Sequence, residues 1–127
     1  MIVLETTFLV DYLEGVDATR EFLEDHVDSP LFTTTLSLFE VYRGGARADG
    51  QSGLERVADG LDWLWPLPLD ERTARESALV EAELLEVGAP INLRDVVIAG
   101  ICRRHDGQLV TRDRHFGTVP DLEVVTY

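Results

Sequence analysis

Residues 1–13 read MIVLETTFLVDYL: the apolar run Ile2, Val3, Leu4 stops at Glu5, and Thr6 and Thr7 lead into Phe8, Leu9, Tyr12 and Leu13 at helical spacing. Three apolar residues followed by threonines able to cap a helix suit a buried strand feeding a helix. In open α/β sheets ligands bind outside the carboxyl ends of the strands, so Glu5 stands at the edge where chemistry is usually done. The same place also suits a carboxylate favoured by the dipole of a helix's first turn. The stretch alone does not separate the two.

Beyond it, Gly15 and Val16 break the chain. Asp17 is placed to cap a second helix with Phe22, Leu23 and Val27 on one side, ended by Ser29 and Pro30. Leu31–Thr34 reads as a strand, and Thr35 or Ser37 as the cap of a helix carrying Leu36, Phe39 and Tyr42, with Glu40 on the margin of that stripe. Gly44, Gly45 and the polar run Ala48 to Gly53 read as a mobile connection to a helix over Leu54–Leu64. Pro66 and Pro68 limit the next stretch to a short edge strand, because proline cannot donate to a ladder. Asp70 then caps a long helix with a stripe of Ala74, Ala78, Ala82 and Leu85 and a solvated face of Glu76, Glu81, Glu83 and Glu86, stopped by Gly88.

Residues 90–116, PINLRDVVIAGICRRHDGQLVTRDRHF, read as loop, helix, a turn at Gly107, a strand over Gln108–Thr111, and a second carboxylate at a strand end, Asp113. Asp95 opens the helix, and the apolar run behind it is continuous enough to be buried. Pro120 precedes a last strand, Glu123–Thr126. Strands alternating with helices, with no hairpin signal, give an α/β fold: a parallel sheet with helices on both faces. The 127 residues suit a single domain, 1–127.

Acidic residues number 24 against 11 basic ones, all arginine, for a formal net charge of −13. Such a surface repels polyanions in ordinary buffer. A lysine-free, Asp/Glu-rich composition is what a halophile's protein is expected to have, and at molar salt a Debye length of about 3 Å removes most long-range repulsion. No stretch is long and apolar enough for a membrane span and none reads as a targeting segment, so a cytoplasmic location is expected. The one cysteine, Cys102, lies in an apolar run and reads as a packed thiol.

Four carboxylates stand out: Glu5, Glu40, Asp95 and Asp113. Clustered, they would suit Mg²⁺ or Mn²⁺, hard cations that take oxygen ligands and keep waters. Such a site activates water and stabilises charge on a phosphate. Thr7 and Thr111 are placed to orient the ligands. Arg43, Arg94, Arg112 and Arg114 flank the acids and could hold phosphates or simply balance local charge. His115 could reach the metal or the scissile phosphate, or be an exposed loop residue. His26 and His105 read as helix-end residues without a nucleophile beside them.

MIVLETTFLVDYL, FEVYRG, INLRDVVIAG, LVTRDRHF and the closing LEVVTY together resemble a PIN domain, and more narrowly a VapC-type toxin ribonuclease, over essentially the whole chain. The resemblance implies a three-layer sandwich with a five-stranded parallel sheet, Mg²⁺- or Mn²⁺-dependent cleavage of RNA phosphodiesters, and restraint by a VapB-like antitoxin. It assigns metal binding to Glu5, Glu40, Asp95 and Asp113, and orientation of the metal shell to Thr7 and Thr111. One departure matters: the family pattern has aspartate where this chain has Glu5. An added methylene moves the carboxylate about one bond further, and catalysis tolerates misplacement of about 1 Å poorly, so weakened metal affinity and activity are expected.

Two other readings stand beside the nuclease. One is an inactive module that keeps the fold and binds only an antitoxin or RNA, which Glu5 keeps open. The other, a Rossmann-like nucleotide binder, lacks the Gly-rich phosphate loop after the first strand. The Trp63/Trp65 region and the small-residue helix stripe are compatible with a homodimer.

Overall fold

The computed structural model describes all 127 residues. Five short strands, β1 (Ile2–Leu4), β2 (Leu31–Thr34), β3 (Trp65–Leu67), β4 (Gln108–Val110) and β5 (Glu123–Val125), form one sheet in the order β3-β2-β1-β4-β5. Every pairing is parallel, with Val3 opposite Phe32 on one side and opposite Leu109 on the other. The helices are α1 (Thr6–Leu13), α2 (Asp17–Glu24), α3 (Thr35–Gly60), α4 (Glu71–Glu86) and α5 (Leu93–Arg104). A 3₁₀ turn, Arg114–Thr118, follows β4.

Alternation along the central strands makes two cores from one sheet. Val3 and Leu109 face a core shared with Val80 and Leu84 of α4 and Ile98, Ile101 and Cys102 of α5. Leu4 and Val110 face the other, with Phe8 and Leu9 of α1, Val41 of α3, and Leu61 and Leu64. This is the expected three-layer α/β sandwich. Cys102 is fully buried, and burial pushes its thiol up to about 12, in keeping with a packed, inert residue. No helix is long and apolar enough to cross a membrane.

Several local expectations are corrected. The cap of α3 is Thr34, whose Oγ1 accepts from Ser37 N at 3.0 Å, rather than Thr35 or Ser37. The polar run Ala48 to Gly53 is no mobile linker but the bend of a helical hairpin. Asp49 and Gly50 leave helical geometry, Gly50 at φ +59°, and the chain folds back until Gly45 and Gly53 touch backbone to backbone. Glycine at both places is what allows that approach, which a composition reading takes for flexibility. The helix after the bend stops at Gly60, short of Leu64. Phe39, expected in the buried stripe of α3, is 52% exposed under the Arg43 guanidinium, and Val27 lies beyond α2 in solvent.

In α4 the buried stripe is Thr73, Ser77, Val80 and Leu84, one residue out of step with the expected Ala74, Ala78, Ala82 and Leu85, which are exposed. The small buried residue is Ser77. A Cβ on Gly100 of α5 would lie 2.5 Å from its Cα, so the two helices meet nearly backbone to backbone. Glu76 and Glu83 are not merely solvated either. They hold Arg103, whose side chain is 9% exposed, at 2.7 and 2.8 Å, and Arg103 also donates to the Pro120 carbonyl.

Because the neighbour at Gly100 is backbone, it cannot swing aside. Gly100→Ala is expected to destabilise the protein by about 1–3 kcal/mol, as overpacking generally does, despite alanine's better helix propensity. Urea unfolding checks this. Gly44→Ala, with nothing near its added Cβ, is the control and is expected to be neutral or stabilising.

Candidate functional site

Chain order and strand order part company between β1 and β4: β2 and β3 add on one side of β1, β4 and β5 on the other. That switch point leaves a crevice at the carboxyl edge of the sheet. Glu5 follows β1 directly, its amide donating to Val110 O at 3.0 Å, and Thr111 follows β4 with its amide on Val125 O at 3.0 Å. The sheet itself therefore fixes where both carboxylate-bearing strand ends lie.

Glu5 is 3% exposed and caps α1. Its Oε2 accepts from Thr7 N at 2.8 Å, Thr7 Oγ1 at 2.7 Å and Thr111 Oγ1 at 2.8 Å. Burial raises its pKa; those three donors pull the other way, and the charge of Asp95 adds to the rise. Glu5 is not in the first turn of the helix but caps it, at the carboxyl end of β1.

Asp95 lies in the first turn of α5, 8% exposed. Asn92, the cap of that helix, takes Asp95 N on its Oδ1 at 2.9 Å and donates its Nδ2 to Asp95 Oδ2 at 2.8 Å. Burial raises the Asp95 pKa, and the charges of Asp113 and Glu40 raise it further. Asp113 caps the 3₁₀ turn, accepting from His115 N at 2.9 Å, with His115 Nδ1 3.2 Å from the same carboxylate oxygen. One ligand atom from each of Asp95, Asp113 and His115 lies within 4.8 Å of the other two. Asn92 and His115 pull the Asp95 pKa the other way. Two carboxylates and an imidazole are a donor set that fits a divalent cation.

Glu40 reaches the rim but is partly engaged: Thr6 Oγ1 donates to it at 2.9 Å and Arg94 Nη1 at 2.9 Å. Its charge is still felt at Asp95. Of the four expected carboxylates, Asp95 and Asp113 thus come together, while Glu5, held by Thr7 and Thr111, and Glu40, tied to Arg94, lie outside that close group. Thr7 and Thr111 bond Glu5 as expected and also touch each other at 3.2 Å. Arg112 is turned toward α1, where Nε bonds Asp11 at 2.7 Å, and Arg43 lies over Phe39.

Thr6 and Ser37, expected only as helix caps, and Asn92, not expected at all, also border the site. Thr6 and Ser37 lie 3.0 Å apart under Glu40. The signal for Asn92 was available: Asn three residues before Asp at a helix start is a capping pattern. Thr6 and Ser37 are polar residues on otherwise apolar faces, and nothing in spacing alone tells a buried hydroxyl with a purpose from one that is merely satisfied.

The PIN domain pattern matches residues 2–122. No curated protein matches the chain. Among solved structures, it is similar to VapBC2 from Rickettsia felis bound to a DNA fragment from their promoter, with 20% identity, TM-score 0.90, and coverage of 100% of this chain and 99% of that one. DNA-bound VapBC from Salmonella typhimurium is similar at 22% identity and TM-score 0.89, covering 99% of this chain and 98% of that one. FitAcB from Neisseria gonorrhoeae follows at 20% identity and TM-score 0.84, covering 98% and 96%. A parallel sheet with its acidic crevice at the strand ends, and a family pattern spanning all five strands but the last, place this chain in the PIN domain family.

Proposed function

We propose that the protein is a metal-dependent endoribonuclease, the toxin of a type II toxin-antitoxin pair, and that it works in a salt-rich cytoplasm. The observation that carries this is the convergence of Asp95, Asp113 and His115 within 4.8 Å, with Glu5 close enough to Asp95 to feel its charge. Asp95 and Asp113 would hold Mg²⁺ or Mn²⁺, Glu5 and Glu40 would complete its acidic surroundings, and Thr7 and Thr111 would orient Glu5. When bound, the cation supplies an activated water and offsets charge on the phosphate. Burial raises the proton affinity of the Asp95 carboxylate, so that beside the attacking water it would accept a proton more readily than in bulk solvent. Attack by water instead of the ribose 2′-hydroxyl leaves 5′-phosphate and 3′-hydroxyl ends.

RNA cleavage in molar KCl with Mn²⁺ tests this, with EDTA as control. The present chain is expected to cleave weakly, Glu5→Asp more strongly, and Glu5→Asp with Asp113→Asn not at all. Products with 2′,3′-cyclic phosphate would exclude the mechanism. Silence of all three on a broad RNA pool would favour the second reading, a binding module without activity. One observation favours that reading: all three donors to Glu5 converge on a single oxygen and hold the carboxylate back.

His115 makes the donor set less oxygen-pure than magnesium prefers, since imidazole suits the transition metals. Mn²⁺ is therefore expected to bind more tightly than Mg²⁺ by calorimetry, and His115→Ala to narrow the gap. A gap unchanged by the substitution would remove His115 from the ligand set.

A VapB-like antitoxin would approach the same crevice, where arginine from a partner meets Asp95, Asp113 and Glu40 with complementary charge. A second copy of the chain is part of the same reading. Leu69, Ala74, Ala78, Leu93 and Val97 border an apolar hollow of about 270 Å³ between α4 and α5, and Leu69 and Leu93 are 51% and 68% exposed. Ala78→Arg is expected to convert a dimer to a monomer in light scattering at molar salt. A wild-type monomer would remove the dimer from the proposal.

A further inference from the structure

Outside the carboxylate cluster α1 carries a buried acid that the proposed mechanism does not use. Asp11 of α1 is 7% exposed and lies one turn beyond Thr7, on the same helix face. Its carboxylate accepts Arg112 Nε at 2.7 Å and Arg112 Nη2 at 3.2 Å, a two-point contact, and also the Tyr127 hydroxyl. Tyr127 is itself fixed, its ring packed edge-on against Phe8 with centroids 4.8 Å apart.

The chain after β4 is anchored at Thr111, which bonds Val125 and Glu5, and again at the buried Phe116 of the 3₁₀ turn, with few bonds between the two. Past Thr111 it leaves the sheet, and its amides are met by side chains: Arg112 N by Thr7 Oγ1 at 3.2 Å, Asp113 N by Thr111 Oγ1 at 3.0 Å, and His115 N by Asp113 Oδ1 at 2.9 Å. Only the first of these bonds crosses to another element. The guanidinium of Arg112 adds the second crossing, to Asp11, and the two anchor points sit four residues apart on α1. Residue 112 is thereby pinned by backbone and side chain at once, between Thr111, which bonds Glu5, and Asp113.

We infer that Asp11, Arg112 and Tyr127 form a clamp that positions Asp113 against Asp95, so that Asp11 and Tyr127 are positioning residues for the metal site; this rests on the nuclease reading above. A nearly buried carboxylate is costly unless paired and hydrogen-bonded, and this one spends its pairing on the segment bearing a candidate ligand. Arg112 is correspondingly committed to the fold, and phosphate contacts at this rim fall to its neighbour Arg114.

The test uses the whole chain in molar KCl and compares Asp11→Asn, Asp11→Glu and Tyr127→Phe with Glu83→Gln, which loosens Arg103 on the far side of the sheet. Two readouts are taken well below every unfolding midpoint: amide exchange at residues 111–116, with no metal added, and Mn²⁺ affinity by electron paramagnetic resonance. Asp11→Asn is expected to speed exchange in that segment while α5 stays protected, and to weaken Mn²⁺ binding roughly 10-fold, the lower end of what loss of a ligand's outer partner costs. Tyr127→Phe is expected to do the same to a smaller extent. Asp11→Glu should recover part of both, and Glu83→Gln should change neither.

Unchanged exchange in Asp11→Asn would overturn the clamp. Faster exchange with unaltered Mn²⁺ affinity would overturn its role at the metal. An equal loss of affinity in Glu83→Gln would make the effect one of general stability. Should the wild type bind no Mn²⁺ while exchange still reports an intact clamp, it is the nuclease reading that fails, and the positioning role falls with it.

Discussion

The Glu5 carboxylate, 3% exposed, rests on Thr7 N, Thr7 Oγ1 and Thr111 Oγ1, and Asp95 presses on it from across the crevice. Holding acids this close out of water is costly, because burial and mutual repulsion both disfavour the charged forms. Much of the local architecture answers that cost. Parallel strands β1 and β4 deliver Glu5 and Thr111 to the same edge, α1 begins with an amide and a hydroxyl aimed at Glu5, and Asn92 supports Asp95 from the start of α5. Hydrogen bonds to the ionised form work against burial at each acid without cancelling it, and the charges of Asp113 and Glu40 add to the rise at Asp95.

Glutamate is an uncommon helix cap, since the shorter Asp, Asn, Ser and Thr reach the N2 and N3 amides with less chain to order. Here Thr7 makes the difference, offering its amide and its hydroxyl to one oxygen. Thr111 adds a third donor from another strand. The longer side chain is thus fully employed in joining α1 to β4. Its second oxygen makes none of these bonds, and any contribution to a cation depends on that oxygen alone. The methylene therefore trades freedom at the site for a firmer connection between two elements.

The order of strands and helices was legible because the strands are short, largely apolar runs and most helix starts carry a cap, as at Asp70, whose box with Thr73 is complete. The exception is α2, since Asp17, expected as its cap, is its first residue, and Val16 before it makes no side-chain cap bond. Glu5, Asp95 and Asp113 were legible for the same reason: they sit at element ends, and ends are marked by residue type. What was not legible involves faces more than ends. Alanine hides no preference for core or solvent, so the α4 stripe was read one residue out of step and Ser77, tight against Gly100, was missed. The Gly45 and Gly53 contact looked like a linker because glycine serves close packing and flexibility alike. The bond between Asp11 and Arg112 spans 101 positions of chain and has no local signature at all.

Charge distribution completes the picture of how an anionic polymer could reach such a site. Of the arginines near the crevice, Arg94 is engaged with Glu40 and Arg112 with Asp11, and Arg43 lies over Phe39. Against a net charge of −13 these leave little long-range attraction for a phosphate backbone. At molar salt the Debye length is about 3 Å, so neither the repulsion of the acidic surface nor the attraction of a distant arginine extends beyond contact. Orientation of a substrate must then come from groups it touches. The hollow of about 530 Å³ bordered by Thr111, Asp113, Arg114, Gly117 and Thr126 adjoins the acidic cluster and offers both a guanidinium and hydroxyls. In the nuclease we propose, short-range fit along that hollow would take the place of the long-range attraction that so acidic a surface lacks.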